Sequence, residues 1–177
     1  MSDKPLNAAR FVWAALIAGA IAHVALVQAV PRVLMDKAIE RIGAGGSNAW
    51  RVADRVTPES RQIVRPTPDF AYSACAYDLS DGPVTIRVEP WSAYWSLSLY
   101  ADNSDNFFVV DDREARNGVT ITLVQRGRRA PEDAPRVVRS PSERGIALIR
   151  RLAPTPDEYA AAALMARGDV CAAAPSS

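Results

Sequence analysis

Residues 70–90 read FAYSACAYDLSDGPVTIRVEP. In the second half Val84, Ile86 and Val88 alternate with Thr85 and Arg87, the period-two pattern of a half-buried strand. In the first half aromatic and small residues alternate around Cys75. Asp81-Gly82-Pro83 breaks the two apart, as a turn requires. The same form recurs downstream. Residues 93–102 (AYWSLSLYAD) set Trp95, Leu97 and Leu99 against Ser96 and Ser98. NSDN (103–106) is a turn before the short run FFVVDD (107–112). Asn117-Gly118, a hairpin dipeptide, precedes Val119, Ile121 and Leu123. PRVVRS (135–140) and RGIALIRRL (144–152) are further strands, separated by the turn SPSE (140–143). Residues 155–168 (TPDEYAAAALMARG) form a helix, with Thr155 as cap, Pro156 in the first turn and Gly168 closing it. The fold class is mainly β: an antiparallel sandwich or jelly-roll-like domain with an N-terminal transmembrane helix and a C-terminal α-helix.

The transmembrane element is FVWAALIAGAIAHVALVQAV, Phe11 to Val30, which contains no formal charge. At 1.5 Å per residue it extends about 30 Å, the thickness of a bilayer's hydrocarbon core. It is longer than the roughly 7–15 residues of a signal peptide's apolar region, and VQAVP is a poor cleavage site. An uncleaved anchor is therefore the expectation; a cleaved signal and a buried soluble helix are the alternatives. Residues 32–42 (RVLMDKAIERI) continue the helical period beyond Pro31, a potential kink. GAGGS (43–47) stops the helix and reads as a flexible hinge. NAWRVADRV (48–56) reads as a short helix, and 57–68 as extended and turn-rich. This divides the 177 residues into a tail and anchor (1–43), a linker (44–64) and a β-rich domain (65–177).

Much chemistry is excluded. The formal charge is +1, so no global field favours nucleic acid. The one histidine, His23, lies in the anchor, and no lysine follows Lys37. That removes His-assisted nucleophiles, His-ligated zinc and Schiff-base lysine from the domain. No phosphate-binding glycine motif is present. Asp102, Ser104 and Asn106 imitate the start of a calcium loop, but Arg113 stands where its glutamate belongs. No metal, cofactor or catalytic residue is expected. The arginines of 125–129 and 136–144 are interleaved with acids and read as a solvated surface. Ala15, Gly19 and His23 share one helix face and permit pairing with another helix.

Two cysteines remain, Cys75 and Cys171. Without a histidine to activate it, Cys75 is no nucleophile. Outside the cytoplasm a disulfide is their natural state, stapling the terminal helix to the first strand; two reduced core cysteines are the alternative. A disulfide and an N-in anchor support one another.

One cluster of short motifs resembles a known family. Pro66, Pro68, Asp69, Tyr72 and Ser73 form its Pro-x-Pro-Asp-x-x-Tyr-Ser opening. Asp78 to Pro83 form its Asp-Leu-Ser-x-Gly-Pro turn. Tyr94 and Trp95 lie in its aromatic strand, and Asn106-Phe107 follow its polar loop. VVRSPSERGIALIRRL is similar to its Arg-Ser-Pro and following strand. Over roughly residues 61–170 the chain resembles the domain of unknown function 1254 family (DUF1254). The resemblance implies a β-rich domain. Longer members carry a second domain, DUF1214, which points to a companion DUF1214-like protein as partner. The motif residues suggest a polar ligand or structural site of Arg65, Asp69, Tyr72, Tyr94, Asp102, Asn106, Arg139 and Arg150, with Asp69 paired to Arg65, Arg139 or Arg150. The expected function is a non-enzymatic partner- or ligand-binding module in the periplasm, anchored in a bacterial inner membrane. One alternative is a hydrolase or isomerase using Asp69 and Asp102 on a small apolar or sugar-like substrate. Another is a structural subunit of a membrane complex, held through the helix.

Overall fold

The computed structural model of the protein describes residues 4–57, 60 and 66–174. A 40-residue helix, α1 (Lys4–Gly43), runs unbroken through Pro31. Pro31 lacks the N–H that would donate to the Val27 carbonyl; one residue further on, the Arg32 guanidinium donates to the Gln28 carbonyl at 2.7 Å. Residues 11–30 are exposed on every side, whereas Met35 and Ile39 are buried.

Among the described residues nine strands follow in two sheets. The first has the order β1 (Arg51–Val52), β2 (Phe70–Asp78), β8 (Arg144–Leu152), β4 (Trp95–Ala101), β5 (Asn106–Asp111). The second has the order β7 (Val137–Ser140), β6 (Val119–Gln125), β3 (Val84–Val88), β9 (Val170–Ala173). The alternation of the sequence becomes the core. Tyr77, Val84, Ile86, Trp95, Leu97, Leu99, Ile121, Leu123, Ala147 and Ile149 all point between the sheets and are buried. A fully buried Leu, Ile or Val contributes about 1.5–3 kcal/mol.

Several expectations are corrected. Residues 48–56 are not helical: they pass along the edge of β2, and Arg51 and Val52 pair with Ala74 and Ser73. Asn48 makes the join. Its Nδ2 donates to the Asp78 carbonyl at 3.0 Å, and its Oδ1 accepts from the Asp78 N–H at 2.9 Å, so a side-chain amide extends the ladder. β7 is parallel to β6, because residues 126–136 turn the chain back before it pairs. β9, unexpected, pairs antiparallel with β3 and carries Cys171. The Cys75–Cys171 disulfide is present, but it joins the two sheets, β2 to β9, and does not hold the helix. That helix, α2 (Pro156–Met165), starts at a Thr155–Glu158 capping box and sets Ala162 against Ala71 and Ala153. The stretch 57–68, read as extended, lies partly outside the described residues.

The hinge is also corrected. Met35 and Ile39 pack on Ala76 and Ile146, the outer surface of the first sheet. This contact precedes GAGGS, and the chain after it is pinned where the Asn48 N–H donates to the Ala76 carbonyl at 2.9 Å. Flexibility at 43–47 therefore does not separate helix from domain. The helix crosses the sheet. Near its middle the Pro31 carbonyl accepts from Ser104 Oγ, in the β4–β5 turn, at 2.9 Å. At its end the Ile42 carbonyl accepts from Arg51 Nε on β1.

Gly145 marks the tightest approach in the core. A Cβ there would overlap the Tyr100 carbonyl and the Tyr77 hydroxyl. That hydroxyl donates to the Tyr100 carbonyl at 3.0 Å and lies 3.0 Å from Ser140 Oγ; burial raises its pKa. Gly145→Ala is expected to cost about 1–3 kcal/mol through overpacking. Thermal unfolding measures it, and an unchanged midpoint would show that the core yields at this point.

Candidate functional site

The outer surface of the five-stranded sheet is built from the positions that alternate with the core. These are Phe70, Tyr72, Ala74 and Ala76 of β2, Ile146, Leu148, Arg150 and Leu152 of β8, and Ser96, Ser98 and Tyr100 of β4. α1 covers the end at Ala76, Ile146 and Tyr100. The other end gathers aromatic and polar side chains. The Phe70 and Tyr94 rings meet edge-on with centroids 6.0 Å apart, and Phe70 and Tyr72 lie 6.4 Å apart. Tyr72 Oη accepts from the Thr67 N–H at 3.1 Å, which fixes its ring. Arg150 stands opposite both Tyr72 and Ser96, and its Nη2 donates to Ser98 Oγ at 3.3 Å. Its Nε and the Ser96 hydroxyl are buried without a hydrogen-bond partner. An apolar rim beside an incompletely satisfied guanidinium suits a ligand with an apolar body and an acceptor group.

The expected residues do not all meet here. Tyr72, Tyr94 and Arg150 share this end of the sheet. Asp69 lies at its border and is exposed; its Oδ2 accepts from Thr67 Oγ1 at 3.3 Å and its backbone carbonyl from the Ala153 N–H at 2.8 Å. The expected Asp69 pairing with Arg139 or Arg150 is not formed. Arg139 lies on β7 in the other sheet, where it donates to the Arg128 carbonyl, and Arg150 is turned to Ser98. Arg65 lies outside the described residues. Asp102 and Asn106 flank the β4–β5 turn at the far end of the sheet. The register places Phe70 opposite Leu152 and Ala101 opposite Gly145, a rise of seven residues or about 23 Å. Carboxylates that share a bond to be broken sit about 5–10 Å apart. Asp69 and Asp102 therefore do not form one acid–base pair, and the hydrolase or isomerase reading built on them is set aside.

The ion pair that the sequence reading missed is the next residue along. The side chains of Arg151 and Asp169 are 2% and 0% exposed. Arg151 Nη1 and Nη2 donate to Asp169 Oδ2 and Oδ1 at 2.9 and 2.8 Å, Nη2 also donates to the Glu89 carbonyl, and Oδ1 accepts from the Glu89 N–H. This fork ties β8 to the β3–β4 loop and to the start of β9.

A separate cleft of about 610 Å³ lies between the turn at Asp81–Pro83, residues 129–133 and the end of β9. A neighbouring hollow of about 460 Å³ shares Gly82, Pro83 and Arg129. The family-like turn lines both. Within it Asp78 Oδ1 accepts from the Ser80 N–H at 2.9 Å, and hydrogen bonding to Ser80 lowers the Asp78 pKa. None of the expected site residues that are described lines either hollow.

Comparison with known proteins agrees with this architecture. The structure resembles the crystal structure of the VPA0106 protein from Vibrio parahaemolyticus, with 14% identity and a TM-score of 0.63, over 82% of this chain and 36% of that one. A putative uncharacterized protein from Burkholderia cenocepacia matches at 17% identity and a TM-score of 0.46, over 62% of this chain and 32% of its own. The likeness to VPA0106 shows the fold alone. The chain spans about a third of the length of both structures. A comparison with curated proteins gives no match. Residues 47–172 match the family model described as "Protein of unknown function (DUF1254)", and the chain belongs to that family.

Proposed function

We propose that the protein is a single-pass component of a bacterial inner membrane, with its β domain in the periplasm, where the domain binds a partner without performing chemistry. The observation that carries the reading is the division of α1. Twenty uncharged, mostly apolar residues before Pro31 are exposed on all sides, and the turns after it are docked on a domain that contains a disulfide. Exposed apolar surface of that length fits lipid, and a disulfide fits an oxidising compartment. The partner in this reading is a companion carrying a DUF1214-like domain, and the contact surface is the Phe70, Tyr72, Tyr94 and Arg150 end of the sheet. The Ala15, Gly19 and His23 face leaves room for helix pairing beside it.

Both native cysteines are buried, so topology is tested with Ser92→Cys in the exposed β3–β4 loop. Labelling of intact cells, opened only at the outer membrane, by an impermeant maleimide is the expected result. Labelling only after lysis would place the domain in the cytoplasm and end the reading. Co-purification of a DUF1214-like companion is then compared with Arg150→Ala and Tyr94→Ala in place. Loss on substitution is expected. Loss only on deletion of α1 would move the protein to the class of structural subunits held through their helices.

A further inference from the structure

We infer that one flank of the sandwich, formed by the edge strands β5 and β7, lies against the phospholipid headgroups of the membrane that α1 enters. The inference rests on the anchor reading above and adds an orientation to it.

The orientation comes from the path of α1. From Pro31 to Gly43 the helix advances about 18 Å. In that distance its contacts pass from the β4–β5 turn at Ser104, over Ile146 of β8 and Ala76 of β2, to Arg51 of β1. That is the order of the sheet itself, and three strand spacings amount to about 14 Å. The helix thus runs mainly across the strands. It leaves the sheet on the β5 side, and its apolar part begins one residue beyond the Ser104 contact. The membrane is therefore next to β5 and furthest from β1.

The depth follows from the same contact. Val30 ends the apolar run, so Pro31 stands at the boundary of the hydrocarbon. Each headgroup layer adds about 5–8 Å. Ser104 touches Pro31, and β5 begins two residues later, so the strand starts within that layer.

The composition of the flank suits the position. On β5, Val109 is 51% exposed and Phe107 is half-buried. The second sheet contributes its β7 edge on the same side: the Arg136 guanidinium lies 5.2 Å from the centre of the Phe108 ring, while the disulfide holds β9 to β2 on the opposite flank. Val137 of β7 is 39% exposed. The charges here are mixed: Arg136 and Arg139 stand at β7, Asp102 and Asp105 in the β4–β5 turn and Asp111 at the end of β5, while residues 129–133 line the cleft beside the end of β9. Exposed apolar side chains set among charges of both signs suit a headgroup layer, itself a mixture of apolar stems, phosphate and cations.

The test uses the full chain in nanodiscs containing phosphatidylglycerol and a headgroup-quencher lipid. A fluorophore is placed in turn on Val109→Cys, Val137→Cys and Leu164→Cys. Leu164, on α2, is 63% exposed and away from the flank, so it controls for general adhesion of apolar surface. The expected result is loss of emission at 109 and 137 and none at 164. The same pattern is expected in quencher-containing discs of phosphatidylcholine, because the depth of α1 sets the contact. Equal emission at all three sites, in protein shown to be inserted by resistance to carbonate extraction, would overturn the inference and leave the anchor standing. Failure to insert would remove both. Quenching between two labelled copies without quencher lipid would assign the flank to a protein neighbour and also overturn it.

Discussion

Replacing Arg151 with Met is expected to lower stability by about 3–5 kcal/mol, because it leaves the Asp169 carboxylate buried and unpaired. Asp169 is fully enclosed, so water cannot replace the two guanidinium donors at 2.8 and 2.9 Å. Asp169→Leu should cost a similar amount by stranding the Arg151 guanidinium. The double substitution should cost clearly less than the sum of the two, because it removes both charges together. It does not return to zero: the Glu89 N–H also donates to Asp169, and a buried donor left without an acceptor costs about 1–3 kcal/mol. Urea unfolding of the detergent-solubilised protein gives the three values. A loss under about 1 kcal/mol for Arg151→Met would show that the pair behaves like an exposed one.

The second large effect is expected from the disulfide. Cys75 and Cys171 are 96 residues apart, and the chain-entropy model gives about 4–5 kcal/mol for a loop of that length. Its removal by Cys75→Ala with Cys171→Ala should appear first in β9. That strand has four residues and pairs with β3 alone, so little else holds it. Hydrogen exchange should show loss of protection at 170–173 before the centre of the first sheet opens. Asp169 and Cys171 anchor the same short segment, so the two effects should not add. If β9 stays protected as long as β8 in the cysteine-free protein, the strand is held by packing and the entropic account fails.

The strands were legible because both sheets bury one surface, and a half-buried strand writes its period into the chain. The same rule, carried one step further, would have found the ion pair. In RGIALIRRL the residues Ala147 and Ile149 point inward, so parity assigns Arg151 to the core and Arg150 to the outside. Asp69 drew attention as part of a motif, yet nothing in its neighbourhood indicated burial. β1 and β9 were not legible. One has two residues and the other four, too few for a period to show. The meeting of Tyr72, Tyr94 and Arg150 depends on the order β2–β8–β4, a long-range pairing that no local pattern encodes. GAGGS looked like a joint because it is rich in glycine. The docking that defeats it depends on Met35 and Ile39 finding apolar partners, Ala76 and Ile146, far along the chain.

If α1 anchors the domain in a membrane, as proposed, that docking governs how the domain meets a partner. A flexible tether of about 20 residues would let a domain sweep a radius of roughly 25 Å. Here the stalk is bolted to its load, so with α1 in the bilayer the domain turns only as the helix turns. It explores a plane by lateral diffusion and a circle by rotation, and almost nothing in height. A partner must therefore present its matching surface at one fixed elevation above the lipid. Lengthening the helix by one turn at its docked end would raise that elevation by about 5.4 Å and rotate the domain's heading, without altering any surface the partner touches.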